Sequence, residues 1–192
     1  MAVVAPCRPR RRTGILAALA LTATLLAAGE PLDAHAASGD ASFYALTMPL
    51  TRPDGSAAQM ADWRGRQAII AMDHTQSLVV CSDTIRRLRA VQTAADRLGK
   101  GFDYIVISLD PQADTPAQWA RYKAFFDVDR PGWHFLNAGV DDTQALIERL
   151  GIRISYDQGY RFHAVKLFRV DASGHLVRTL EGYDRNTEAF LQ

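Results

Sequence analysis

Residues 67–98 constrain the chain more than any other stretch. Ala68-Ile69-Ile70-Ala71-Met72 is a short apolar run with β-branched residues, which reads as a buried strand. A polar loop follows, Asp73-His74-Thr75-Gln76-Ser77. Beyond it, Cys81, Ile85, Leu88, Val91, Ala95 and Leu98 recur at spacings of three and four, one face of an amphipathic helix. Arg86, Arg87, Arg89 and Arg97 fall on the other side. Cys81 is expected at or near the first turn of that helix, where the helix dipole favours the thiolate.

The leader bears on what that cysteine can do. Arg8, Arg10, Arg11 and Arg12 form a basic region, Ile15 to Ala28 is an apolar run of 14 residues, and Ala34-His35-Ala36 fits an A-x-A cleavage site. Those parts in that order read as a secretory signal peptide over residues 1–36, ahead of one domain over 37–192. The apolar run is short for a membrane span, so the mature chain is expected to be periplasmic or otherwise exported, without a stable span. Arg11-Arg12 is a weak twin-arginine signal, because Gly14 stands where that motif wants an apolar residue. Cys7 leaves with the leader, and Cys81 is then alone. A lone cysteine in an oxidising compartment makes no internal disulfide. It is buried, paired with another molecule, metal-bound or reactive.

Charge excludes one class of partner. Of 22 basic and 21 acidic side chains, residues 1–36 hold four arginines, Glu30 and Asp33, so the remainder carries 18 and 19, a net charge of −1. No basic stripe is left to bind nucleic acid. Hydrophobic residues at 48% and charged residues at 22% fit a globular core rather than a disordered chain.

The rest of the chain alternates. Phe43 to Thr47 reads as a strand, Arg52-Pro53-Asp54-Gly55-Ser56 as a turn, and Met60 to Trp63 as a short helical turn. Gly99-Lys100-Gly101 closes the central helix, and Phe102 to Leu109 is a strand. Thr115 or Asp114 caps a helix that begins at Pro116 and runs to Phe126, with Gln118 placed to complete a capping box. Its Trp119, Tyr122 and Phe126 are expected in the core. Pro131 to Leu136 reads as a strand and Asp141 to Leu150 as a helix. Tyr156 to Tyr160 reads as a loop, Phe162 to Val170 as one alternating strand, and Asp171 to Gly174 as a hairpin turn. His175 to Leu180 pairs back, and Thr187 to Gln192 is a terminal helix. The fold class is α/β.

Several segments together resemble one family. Ser108-Leu109-Asp110-Pro111-Gln112-Ala113-Asp114-Thr115-Pro116 matches S-x-D-P-x-x-D-T-P of the SCO/SenC copper-handling proteins at every specified position. Their loop Y-T-H-C-P-x-x-C-P lies over His74 to Ser82, where Thr75 and Cys81 match, Ser77 replaces the first cysteine and both prolines are missing. Trp133 to Gly139 is similar to the family's W-x-x-L-T-G, and His163 stands at its copper-ligand histidine. The resemblance covers residues 43 to 185 and implies a thioredoxin-like three-layer fold, with a central mixed β-sheet flanked by helices.

By that resemblance Cys81 and His163 are the metal residues, with Ser77 at the lost-cysteine position. Thiolate selects Cu(I) and imidazole suits either copper state, whereas a serine hydroxyl is a poor ligand for a soft ion. Copper is therefore expected to be held weakly or not at all. The implied role is accessory, in copper handling or thiol redox during respiratory oxidase assembly. Its partner would be a respiratory copper enzyme or another copper chaperone, and an enzymatic activity is the lesser expectation. Two other readings stay open. Cys81 could be the catalytic thiol of a one-cysteine peroxidase, although Leu78 stands where peroxiredoxins carry a threonine. The domain could also be a binding module without copper or redox activity, its Cys81 a packed small hydrophobe and its His163 merely hydrogen-bonded. His74 is a minor candidate for the missing ligand, His134 and His175 read as surface or strand-edge residues, and Asp110 and Asp114 as loop-organising caps. No hydrolase signature appears.

Overall fold

Along the strand Ala68–Asp73 (β3), successive side chains enter two different cores. Ala68, Ile70 and Met72 join one cluster, Ile69 and Ala71 the other. The parallel strand Asp103–Ser108 (β4) divides likewise, Ile105 and Ile107 against Tyr104 and Val106. A strand covered on both faces needs no polar alternation, which is why both segments read as unbroken apolar runs. Each fully buried Ile or Val here contributes on the order of 1.5–3 kcal/mol.

The structure is a computed structural model, and it describes residues 41–78, 83–157, 160–182 and 186–192. The fold belongs to the unit Ala34–Gln192; the expected leader and Cys81 lie outside the described residues. Besides β3 and β4, the strands are Leu50–Thr51 (β1), Ala57–Ala58 (β2), Trp133–Ala138 (β5), Ile154–Asp157 (β6), Tyr160–His163 (β7), Lys166–Val170 (β8) and Leu176–Glu181 (β9). The helices are Asp83–Arg97 (α1), Pro116–Phe126 (α2), Val140–Arg149 (α3) and Thr187–Leu191 (α4). Among the described residues one mixed sheet runs β2-β1-β5-β4-β3-β8-β9, with β3, β4 and β5 parallel and the remaining neighbours antiparallel. β6 and β7 form a separate antiparallel pair.

Helices cover both faces of the sheet. α1, α2 and α4 supply Ile85, Leu88, Trp119, Tyr122, Phe126 and Phe190 to one core. α3 supplies Leu146 and Ile147 to the other, beside Phe43, Tyr44, Met60 and Trp63. This is the expected three-layer arrangement. Local signals hold at the helix ends. Thr115 Oγ1 accepts from the Gln118 backbone N–H at 3.3 Å, and Pro116 takes the first helical position. After α1, Gly99 adopts φ +65°, Lys100 N–H bonds to Ala95 C=O and Gly99 N–H to Asp96 C=O, a Schellman close.

Four expectations are corrected. Phe43–Ala45 is a 3-10 turn rather than a strand: the Ser42 side chain accepts from Tyr44 N–H and Leu46 N–H bonds back to Phe43 C=O, which curls the backbone locally. Leu98, expected on the buried face of the central helix, is 47% exposed, because α1 stops at Arg97 and the close turns Leu98 outward. Tyr156, Asp157 and Tyr160, expected in a loop, belong to the paired strands β6 and β7. The single strand expected over 162–170 is two strands, interrupted at Ala164 and Val165. β7 pairs with β6 and β8 with β3, so the chain changes sheets there. That change delivers His163 to the site.

Candidate functional site

The site forms where β3 and β4 end. Asp73 is the last residue of β3 and pairs in register with Ser108, the last of β4. Both following loops therefore leave the same sheet edge, the carboxyl ends of parallel strands, where α/β sheets open a crevice.

Asp114 ties these loops together. Its Oδ1 accepts from the backbone N–H of Thr75 at 2.8 Å and the Thr75 hydroxyl at 2.6 Å, and its Oδ2 accepts from Ser108 Oγ at 2.5 Å. Burial pushes this carboxyl above its ordinary range, against the opposing pull of those donors. The expected capping role is thus corrected: Thr115 caps α2, while Asp114 braces the β3 loop. Asp110 holds its own turn through the Ala113 N–H and forms an ion pair with Arg161 at 3.6 Å.

Asp73 is fully buried and holds the centre. Its Oδ2 accepts from the Tyr122 hydroxyl at 2.6 Å, and its Oδ1 accepts from the His74 backbone N–H at 2.8 Å. Oδ1 also lies 3.2 Å from Nε2 of His163, whose side chain is 2% exposed. A carboxylate only accepts, so Nε2 carries the proton in this assignment. Among the described residues, Nδ1 of the same ring is buried and finds no hydrogen-bond partner. The His74 and His163 rings meet edge to face, 5.5 Å between centroids. Burial pulls the His74 imidazole below 6.5; Asp73 opposes this and His163 adds to it. Burial and the neighbouring Asp73 carboxylate push the Tyr122 phenol well above 10.

His163 also lines a cavity of about 430 Å³, with Asp83, Arg153, Lys166 and Glu181 among its walls. A separate cavity of about 540 Å³ lies between α3 and the β6–β7 hairpin, and none of Asp73, His74 or His163 lines it.

Of the sequence-derived site, His163 is placed at this crevice and His74 stands against it. The Ser77 backbone lies in a 3-10 turn, Thr75–Leu78, directly after His74. Cys81 lies outside the described residues, as does its distance from His163. Among the described residues no group of three or more His, Cys, Asp or Glu side chains is arranged to hold a metal ion. The imidazole lone pair of His163 is a donor type that fits copper. The expected exposure of His134 is corrected in part. Its ring packs against Trp63 at 5.1 Å and its Nε2 pairs with Asp103 at 2.6 Å, while His175 remains exposed at its turn. Sequence reasoning missed Asp73 and the second role of Tyr122. One signal was present: an acidic residue directly abutting a fully apolar strand.

Comparison with curated protein sequences gives no match. Among solved structures the chain is similar to a SCO1/SenC family lipoprotein from Bacillus anthracis, at 17% identity and TM-score 0.63, over 75% of this chain and 92% of that one. It is similar to yeast Sco1 with copper bound, at 21% identity and TM-score 0.60, over 73% and 81%. It is also similar to Bradyrhizobium japonicum ScoI with copper bound, at 24% identity and TM-score 0.52, over 74% and 91%. These likenesses carry the thioredoxin-like fold. A family model described as SCO1/SenC matches residues 38–192, which takes in both sheet-end loops and the strand bearing His163, and the chain therefore belongs to the SCO1/SenC family.

Proposed function

We propose that the protein is an exported accessory protein that handles copper during assembly of a respiratory oxidase, through a site weaker than one with two thiolates. Copper is the cargo. His163 supplies one imidazole and Cys81 one thiolate, while Ser77 stands where a second thiolate would have been. The observation that carries this reading is the buried Nδ1 of His163, without a hydrogen-bond partner among the described residues, on a residue that lines the cavity of about 430 Å³. A buried acceptor without a partner is uncommon and marks a place where a ligand completes the structure. The solved relatives with copper bound support the choice of ion. The partner is a respiratory copper enzyme or another copper chaperone. No helix among the described residues is long and apolar enough to cross a membrane.

A Cu(I) competition titration tests the reading. Binding is expected to be measurable and modest, and to fall in both Cys81→Ser and His163→Ala. No binding, or binding that neither substitution changes, overturns it in favour of a module without copper.

A further inference from the structure

Asp73 has no part in the sequence-derived site, yet like Asp114 it gathers three donors. It is a fully buried carboxylate with three donors around it: the Tyr122 hydroxyl, the His74 backbone N–H and His163 Nε2. Tyr122 comes from α2, His74 from the loop after β3 and His163 from β7. Three elements thus converge on one side chain. The two short contacts come from groups whose positions are set elsewhere, Tyr122 by packing in the core and His74 N–H by the end of β3. They hold the carboxylate still. The carboxylate in turn faces His163 with an acceptor at 3.2 Å.

We propose that Asp73, braced by Tyr122, is a positioning residue for His163: it fixes the imidazole with its proton on Nε2 and presents the Nδ1 lone pair to the copper ion. This rests on the copper reading above and adds what sets the ligand. An imidazole has two tautomers, and only one leaves Nδ1 able to donate electrons. A carboxylate on the far nitrogen selects that tautomer and fixes the ring plane, as in other metal sites with a carboxylate behind histidine. The alternative tautomer would place an N–H on the buried Nδ1, where no acceptor is found, and a bare Nε2 against the carboxylate. The arrangement is costly to leave as it stands and is relieved when Nδ1 gains a partner. A site that has exchanged a thiolate for Ser77 depends all the more on its remaining nitrogen being correctly set.

The test uses the exported domain labelled with ¹⁵N-histidine. The parent, metal-free, is expected to show His163 as a single tautomer protonated on Nε2, the signal being assigned by its loss in His163→Ala. Asp73→Leu combined with Tyr122→Phe removes the carboxylate together with the hydroxyl that would otherwise be stranded. There the tautomer signal is expected to become mixed or to invert, and Cu(I) affinity to fall by about 10- to 100-fold. If the double variant keeps a pure Nε2–H tautomer, or binds copper as tightly as the parent, the positioning role is overturned. If the double variant does not fold, Asp73→Asn retains the shape without the charge, and unchanged affinity in that variant overturns the proposal equally. Should the parent bind no copper, the copper reading fails on its own, and the tautomer measurement still decides the role of Asp73.

Discussion

Thr75 gives both its backbone N–H and its hydroxyl to a single oxygen of Asp114, at 2.8 and 2.6 Å, across 39 positions of sequence. The loop after β3 is thereby held by the loop after β4. Asp114→Ala leaves the Thr75 and Ser108 donors buried and unsatisfied, and is expected to destabilise the protein by about 3 kcal/mol. Thr75→Val removes only the hydroxyl. In a double-mutant cycle followed by urea denaturation the two substitutions should couple by about 1–2 kcal/mol, and strict additivity would contradict the direct bond.

The turn after β8 depends on Gly174. Its φ is +84°, and a Cβ there would lie 2.6 Å from Cγ of Tyr44. Tyr44 cannot swing away, because it is 1% exposed and its hydroxyl donates to Arg66 C=O at 2.7 Å. Gly174→Ala combines left-handed strain with overpacking and should cost about 2–4 kcal/mol in chemical denaturation. Gly55, also at positive φ but with nothing near its missing Cβ, is the control and should cost less.

His74 gives the metal-free protein a pH dependence with a definite sign. Burial lowers its folded-state pKa below the ordinary 6.5, so protonation favours the unfolded chain. The stability linked to this group is fully present above 6.5 and is lost as pH falls below 6.5 toward and through the lowered folded value. Urea midpoints measured at about pH 7.5 and about pH 5 should differ more for the natural protein than for His74→Phe. An equal loss in both would remove His74 as the source.

Ser77→Cys adds a second thiolate four positions before Cys81 and, on the proposed copper reading, should tighten Cu(I) binding by orders of magnitude. Whether the new thiol also closes a disulfide with Cys81 depends on the backbone after the 3-10 turn Thr75–Leu78. Thiol counting before and after mild oxidation reads this directly, with two thiols lost if the bridge forms. Unchanged copper affinity would mean that this position no longer faces the ion.

The proposed export makes a simpler prediction. Protein recovered from the periplasm should begin near Ala37, and terminal sequencing that still finds Met1 would refute cleavage.

Much of the fold was legible locally, because each element carries its own periodic mark. The apolar runs of β3 and β4 announced strands covered on both faces, Thr115-Pro116 marked the start of α2, and Gly99 marked the close of α1. His163 was legible as a candidate through resemblance, although its strand was not. Phe162 to Val170 runs without a glycine or proline, so no local breaker records that β7 and β8 belong to different sheets. The polar centre was less legible still. Asp73 looked like the first residue of a surface loop, and Tyr122 like one more core aromatic. Only tertiary structure made them partners, because whether a carboxylate next to a strand faces water or a core depends on what packs over the strand's end. Here α2 brings a hydroxyl from 49 positions away and β7 an imidazole from 90. Apolar burial follows a period that sequence displays, whereas a hydrogen bond between distant polar groups exists only once register and crossover have set their distance.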